Sequence, residues 1–376
     1  MKWIKYILFL FILLELTSSI SLKYLSNNSN INLVYKPLEV DIEEYLKTRD
    51  AITGWPSTKL LQSKHYSAKG TRINPYEVNN KVPFIQVFGD SFTRGAEVTN
   101  KECWSNLLSK QINENVDNFG VDGFGTDQAF LRFKTKKDTN AELYILGFTS
   151  DNIMRNVNSY RNMISAAMDF PGFKPRYRYN ASEGVNKLIE LQGNNKTQSV
   201  INNPKVFLQD DYFAQSEEGP TYIKWPFSIS FAKLFNHYLI NSKLSGEAFY
   251  SSFFDPEHPS QALDVTAQIM VDFQMECENE GHKSLVLLFP QIQDFKTYYD
   301  KKEWNYQSLI NILEKKDIKY LNLGGSFLEI ADFQTTYPKF FAKHGHYNVE
   351  GNKVVASKLN EYLNKNSIFT TTDLSK

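Results

Sequence analysis

Short apolar runs bounded by glycine, proline or polar turn residues recur at five places: Pro83 to Phe88, Val116 to Phe119, Leu143 to Phe148, Ser284 to Phe289, and Ile318 to Leu323. Such runs read as strands. Elsewhere the apolar positions take helical spacing. Trp104, Leu107, Leu108 and Ile112 share one face behind a capping box, Thr99-Asn-Lys-Glu102. Thr126-Asp-Gln128 opens a second helix. Ala262, Val265, Ile269, Phe273 and Cys277 form a third, capped by Ser260 and ended by Gly281. Leu309, Ile312 and Leu313 mark a fourth, and Val355, Leu359 and Tyr362 a last. Alternating strands and helices predict an α/β fold, a mostly parallel five-stranded sheet covered on both faces.

Between the third and fourth strands only the stretch from Ser260 onward is the expected crossover helix. Residues 155–259 therefore read as an insertion, rich in Asn, Tyr and Phe. Ligands bind at the carboxyl ends of parallel strands, so this insertion is expected to form a lid or a substrate wall.

At the N-terminus Lys2 and Lys5 precede an apolar run from Tyr6 to Leu14, broken by Glu15 and followed by Thr17, Ser18, Ser19 and Ser21. This reads as an export signal. An uncleaved anchor is the alternative, and it requires burying Glu15 within the roughly 20 residues of a spanning helix. Either way the folded part is placed outside the cytoplasm, with a membrane tether only through this segment. The chain divides into residues 1–25 as signal or anchor, 26–79 as a polar linker and extension, 80–365 as the α/β domain with its insertion, and 366–376 as a tail.

Composition narrows the partners. The 42 basic and 42 acidic side chains among 376 residues cancel, which removes any charge-based argument for nucleic acid. Aromatic residues make up 14% of the chain and lie largely outside the strands, as in YYDKKEWNY and RYRYN. Most should pack, with a minority lining a sugar- or acyl-binding cleft. Cys103 and Cys277 fit no metal spacing and read as buried free thiols, with a single bridge between them as the alternative. No His/Cys/carboxylate cluster has ligand spacing and no glycine fingerprint for phosphate has the right context, so neither metal nor organic cofactor is expected.

The chemistry gathers at strand ends. Ser91 follows the first strand in Gly89-Asp-Ser91, where backbone N–H groups can face an oxyanion. The second strand ends in Asn118-Phe-Gly-Val-Asp-Gly123 and the third in Thr149-Ser-Asp-Asn152. A serine needs a base. His346 precedes the last helix at a position able to return to the strand edge, with His344 as a second choice. His258, in the carboxylate-rich Asp255-Pro-Glu-His turn, is read as a helix-start residue or a substrate contact.

These blocks, in this order, and the closing Gly345-His346-Tyr-Asn-x-x-Gly351-Asn resemble those of the SGNH, or GDSL-type, hydrolase superfamily over roughly residues 80–150 and 260–365. The resemblance implies a three-layer α/β/α sandwich of flavodoxin-like type and acyl hydrolysis or transfer through a serine ester. It makes Ser91 the nucleophile and His346 the base. The Ser91 and Gly123 N–H groups and the Asn152 amide become oxyanion donors, and Asp90 shapes the turn. Two places depart from the family pattern. A strict alignment puts Asp151 where the donor asparagine belongs, and the positions that usually hold the triad acid are Lys343 and His344. A backbone carbonyl, a distant carboxylate such as Glu350, Asp332, Asp255 or Glu257, or no acid at all are the alternatives. The functional expectation is an exported serine esterase acting on an ester, O-acyl groups of a glycan being the substrate class. An O-acyltransferase and a non-catalytic glycan-binding protein are its rivals.

Overall fold

A computed structural model describes residues 2–27, 34–61, 65–79, 81–165, 168–190, 196–236 and 247–366. Most of the polar linker, residues 28–33, and the tail from residue 367 lie outside the described residues. The chain forms two compact units. One comprises Met1–Lys47, Asn158–Lys174 and Leu191–Phe249; the other comprises Thr48–Val157, Pro175–Glu190 and Tyr250–Lys376.

The second unit carries a five-stranded sheet of β1 (Pro83–Phe88), β2 (Asn115–Asn118), β3 (Leu143–Thr149), β6 (Lys283–Phe289) and β7 (Tyr320–Asn322). The order is β2-β1-β3-β6-β7 and every pairing is parallel. This is the flavodoxin-like doubly wound arrangement, whose ligand crevice opens where the strand order reverses, between β1 and β3. Central strands of such a sheet are covered on both faces, which is why all seven residues of β3 are buried. Helices Trp104–Ile112 and Val349–Lys365 pack together on one face. Helices Thr126–Lys136, Ala262–Asn279 and Gln307–Lys315 cover the other. Trp104 locks the first pair: its N–H donates to Asn352 Oδ1 at 3.0 Å and its indole N–H to the Phe92 carbonyl at 3.0 Å.

The strands fall where the apolar runs put them, with ends displaced by one or two residues. The last is shorter because it is an edge strand with only half-buried side chains. The other edge, β2, is polar, and Asn115 shields it by bonding the Val78 and Lys81 carbonyls and the Val78 N–H.

Some local expectations are corrected. The Thr99–Glu102 box forms, but it closes a turn, and Cys103 takes the helix N-cap. Ser260 accepts from the Ala262 N–H, yet the N-cap is Gln261 in a left-handed conformation. The insertion 155–259 is not one body. Residues 175–190 belong to the sheet unit as an antiparallel hairpin of β4 (Arg176–Asn180) and β5 (Val185–Ile189), held to helix Ala262–Asn279 by Asn186 Nδ2 on the Val265 carbonyl. Residues 48–79, read as an extension, also belong to that unit: Gln128 donates to the Thr53 carbonyl at 2.7 Å. The aromatic stretches pack, with Trp304 stacked between Tyr298 and Tyr306, and Tyr177 buried on β4. Cys103 and Cys277 are buried free thiols.

The strand ends meet without spare room. A Cβ on Gly120 would stand 2.4 Å from the Arg94 backbone nitrogen, in the turn that follows Ser91. Gly120→Ala is expected to lose about 1–3 kcal/mol in urea unfolding, the range for overpacking. Gly325→Ala, in the short helix Leu323–Leu328 with nothing within 4 Å of the added carbon, should match the parent or gain up to about 1 kcal/mol.

Candidate active site

β1 delivers the chain to Asp90, which caps a four-residue helix, Ser91–Arg94, by accepting from the Phe92 N–H at 2.9 Å. Gly95, left-handed, turns the chain back at once. Buried Arg72 then pins the next segment, donating to the carbonyls of Arg94 (2.7 Å), Gly95 (2.6 Å) and Val98 (2.6 Å). Between those carbonyls sits Glu97, at φ 65°, a backbone region that a non-glycine residue occupies at a cost of roughly 1–2 kcal/mol.

That conformation has a purpose visible in its contacts. Glu97 Oε2 lies 2.8 Å from His346 Nδ1 and accepts the His346 N–H at 3.2 Å, while Oε1 accepts the His344 N–H at 3.0 Å. His346 Nε2 is 2.8 Å from Ser91 Oγ. An ionised carboxylate only accepts, so Nδ1 carries the proton, Nε2 is the acceptor and the serine hydroxyl donates. Burial works against the charge on Glu97, but the His344 N–H and the imidazole and N–H of His346 outweigh it and hold the carboxyl below its usual range.

The histidine is carried by a tight hairpin in which Ala342 N–H bonds the His346 carbonyl and Gly345 takes φ 90°. A side chain at Gly345 would oppose the turn that aims both neighbouring N–H groups at Glu97. Tyr347 fixes the hairpin to the end of β6 by donating to the Pro290 carbonyl at 2.7 Å, and Asn348 caps the last helix.

Behind Ser91, Asp90 Oδ2 accepts from Thr149 Oγ1 (2.5 Å), Asn152 Nδ2 (2.8 Å) and Arg155 (3.2 Å). Arg155 also pairs with Asp151 and donates to the Phe124 carbonyl at 2.9 Å. Asp151 accepts from Gln291 Nε2 at 2.8 Å as well. The carboxylate at the family's donor position is thus neutralised by a guanidinium. The Asn152 amide lies on Asp90 and Thr149, at 2.8 and 2.9 Å, so in this geometry Asn152 braces the Ser91 turn. Among the described residues the Ser91 and Gly123 N–H groups have no internal acceptor.

Of the residues singled out from sequence, Ser91, His346, Asp90 and Asn152 come together. His258 takes the helix-start role: its Nδ1 bonds Ser260 Oγ at 2.7 Å and its ring lies against Phe253, tilted by 36°. Glu350 pairs instead with Lys353. Glu97, Arg155 and Arg72 escaped sequence reasoning. The only sequence signal for Glu97 is a carboxylate six residues after Ser91, just past a helix-ending glycine.

With Ser91 at the end of β1 and His346 ahead of the last helix, site and sheet order agree with the motif order. In motif order and sheet topology the chain resembles the SGNH hydrolases. No family model matches the sequence, and no curated protein does. Solved structures similar to the chain include a member of the lipolytic protein G-D-S-L family from Veillonella parvula DSM 2008, at 12% identity and TM-score 0.37 over 75% of this chain and 98% of that one. A protein from Lactobacillus plantarum aligns at 11% identity and TM-score 0.38 over 76% and 98%. These superpositions are loose, so the resemblance rests on the motif order, the topology and the site.

Beneath the site Asp294 is fully buried and accepts from Ser150 Oγ, Asn305 Nδ2, the Gln291 N–H and Tyr250 Oη. Burial dominates and raises its pKa to about 6. A folded-state pKa above the unfolded value makes its contribution to stability complete at about pH 4 and lost as pH rises through about 6. Relative to Asp294→Asn, the parent should therefore lose up to about 3 kcal/mol between pH 4 and 7 in denaturant midpoints extrapolated to water. Parallel pH curves for the two proteins would show that the carboxyl is not perturbed.

Proposed function

We propose that the protein is a serine esterase working outside the cytoplasm, with O-acyl groups of a glycan as its substrate class. The observation that carries this reading is the unbroken hydrogen-bonded line from Ser91 Oγ through the His346 ring to Glu97. Ser91 Oγ attacks the ester carbonyl while His346 Nε2 takes its proton, and Glu97 stabilises the resulting imidazolium. The Ser91 and Gly123 N–H groups receive the negative charge that develops on the carbonyl oxygen. His346 returns the proton to the departing alcohol, and a water, activated by the same imidazole, releases the acid from the serine ester. Arg94 and Asp122, paired at 2.6 Å beside this turn, give a polar rim suited to a hydroxyl-rich leaving group. A non-catalytic binding protein was suggested by a missing acid and a displaced donor asparagine; Glu97 beside His346 supports the catalytic reading on the first count.

On p-nitrophenyl acetate, Ser91→Ala should abolish turnover above background. Glu97→Gln should lower kcat/KM on the order of 10²- to 10⁴-fold, the range for losing a general base's alignment. Glu350→Gln should match the parent. Equal activity of Glu97→Gln and the parent would remove Glu97 from the mechanism. Acetate release from an O-acetylated polysaccharide, set against hydrolysis of p-nitrophenyl palmitate, tests the substrate class. Acetyl groups appearing on an added sugar alcohol instead of in water would make the protein a transferase.

A further inference from the structure

The N-terminal helix Lys2–Asn27 is long and apolar enough to cross a membrane by length and composition. Its 26 residues span about 39 Å, against a hydrocarbon core of about 30 Å. Trp3 and Tyr6 lie near one end and Tyr24 near the other, the interfacial places such rings prefer. Ile7, Phe9, Leu10, Leu13 and Leu16 are 46–66% exposed.

Its other face is built into the fold. Glu15, near the middle, is only 7% exposed. Its carboxylate accepts the Phe227 N–H at 2.5 Å, the Ser228 N–H at 3.2 Å, and the Ser228 hydroxyl. These are N–H groups that begin helix Phe227–Phe235 and have no partner within it. Farther along, Leu22 is fully buried in a cluster with Val34 and Leu234, with Leu25, Phe227 and Phe231 packed against it. The two helices therefore run side by side. The seven to ten residues from Glu15 to Leu22 and Leu25 rise about 10–15 Å, and the nine of Phe227–Phe235 rise about 14 Å.

The arm leading in has the matching length. Thr221 bridges to Val34, its carbonyl accepting the Tyr35 N–H at 3.0 Å. From there six residues descend to Pro226 beside Glu15. Ser230 Oγ serves this arm, contacting the Lys224 N–H and the carbonyls of Lys224 and Tyr222. Trp225, Ile229 and Phe235 face outward, 51–67% exposed. Lys233 pairs with Glu217, and Lys224 can carry its charge away along its stem.

We propose that residues 2–27 are retained as a membrane anchor and that residues 221–235 re-enter the same bilayer beside it, to about half its depth, with Glu15 closing the tip. The occupant of the outward apolar surface is lipid hydrocarbon. In hydrocarbon no water reaches helix-end N–H groups, so they need an internal acceptor, and a carboxylate inside an apolar helix needs such donors. A cleaved leader has no use for a glutamate wired to a helix more than two hundred residues away.

The test uses the full chain, purified in detergent and reconstituted in phosphatidylcholine–phosphatidylglycerol liposomes without other protein. Its intact mass should include residues 2–27, and a mature N-terminus beyond them would overturn the proposal. Ile229→Cys should react with a water-soluble maleimide at least roughly tenfold more slowly than Val206→Cys, an exposed site of the same unit, until detergent is added. Equal rates in liposomes would place the segment in water and overturn the re-entrant reading. The native thiols are buried and give a low background. Glu15→Ala combined with Ile229→Cys should restore fast labelling. Where that variant does not fold, the Ile229→Cys and Val206→Cys comparison decides alone.

Discussion

Asp90 is the constraint from which the site follows. Its carboxylate is buried, and a buried charge is tolerated only when paired and hydrogen-bonded. All its partners come from one turn or the next: the Phe92 N–H at the start of the short helix, then Thr149, Asn152 and Arg155 at the exit of β3. Satisfying Asp90 therefore joins the ends of β1 and β3, the two strands that flank the crevice, and sets the orientation of Ser91. Arg155 is indispensable to the arrangement because it meets Asp90 and Asp151 together, and removing one partner of a buried pair costs about 3–5 kcal/mol.

The hydrogen-bonded line Ser91–His346–Glu97 is assembled from two chain segments far apart in sequence. Ser91 and Glu97 lie in one turn, braced by Arg72, and His346 comes from a hairpin anchored to β6 through Tyr347. Glu97 does two jobs with one carboxylate. It fixes the backbone of the histidine turn and it orients the ring, and it comes from the turn of Ser91 and not from beside the histidine.

The sheet was legible because parallel strands buried on both faces leave short continuous apolar runs, as Leu143–Thr149 does, and because their helices carry a clear stripe. Ser91 and His346 were legible because strand-end turns and a pre-helix position give them fixed addresses. Glu97 was not. Its approach to His346 depends on the left-handed backbone at Glu97 and Gly345 and on three carbonyls held by Arg72, none of which leaves a local pattern. Arg155 was hidden for a similar reason: in sequence it is one basic residue of a short polar helix, and only the convergence of β1 and β3 brings it between two carboxylates. The insertion read as one piece rich in Asn, Tyr and Phe, yet its hairpin and its two ends belong to one unit and Asn158–Lys174 and Leu191–Phe249 to the other, a division made by tertiary contacts.

The central claim is that Ser91 is a nucleophile activated through His346 and Glu97. The most direct measurement is the intact mass of the full-length protein after exposure to a serine-directed fluorophosphonate, with the adduct mapped by peptide sequencing. The account predicts one adduct, on Ser91, formed fast in the parent and slowly in Glu97→Gln. A folded parent that forms no adduct, or forms it equally fast without the Glu97 carboxylate, would contradict it.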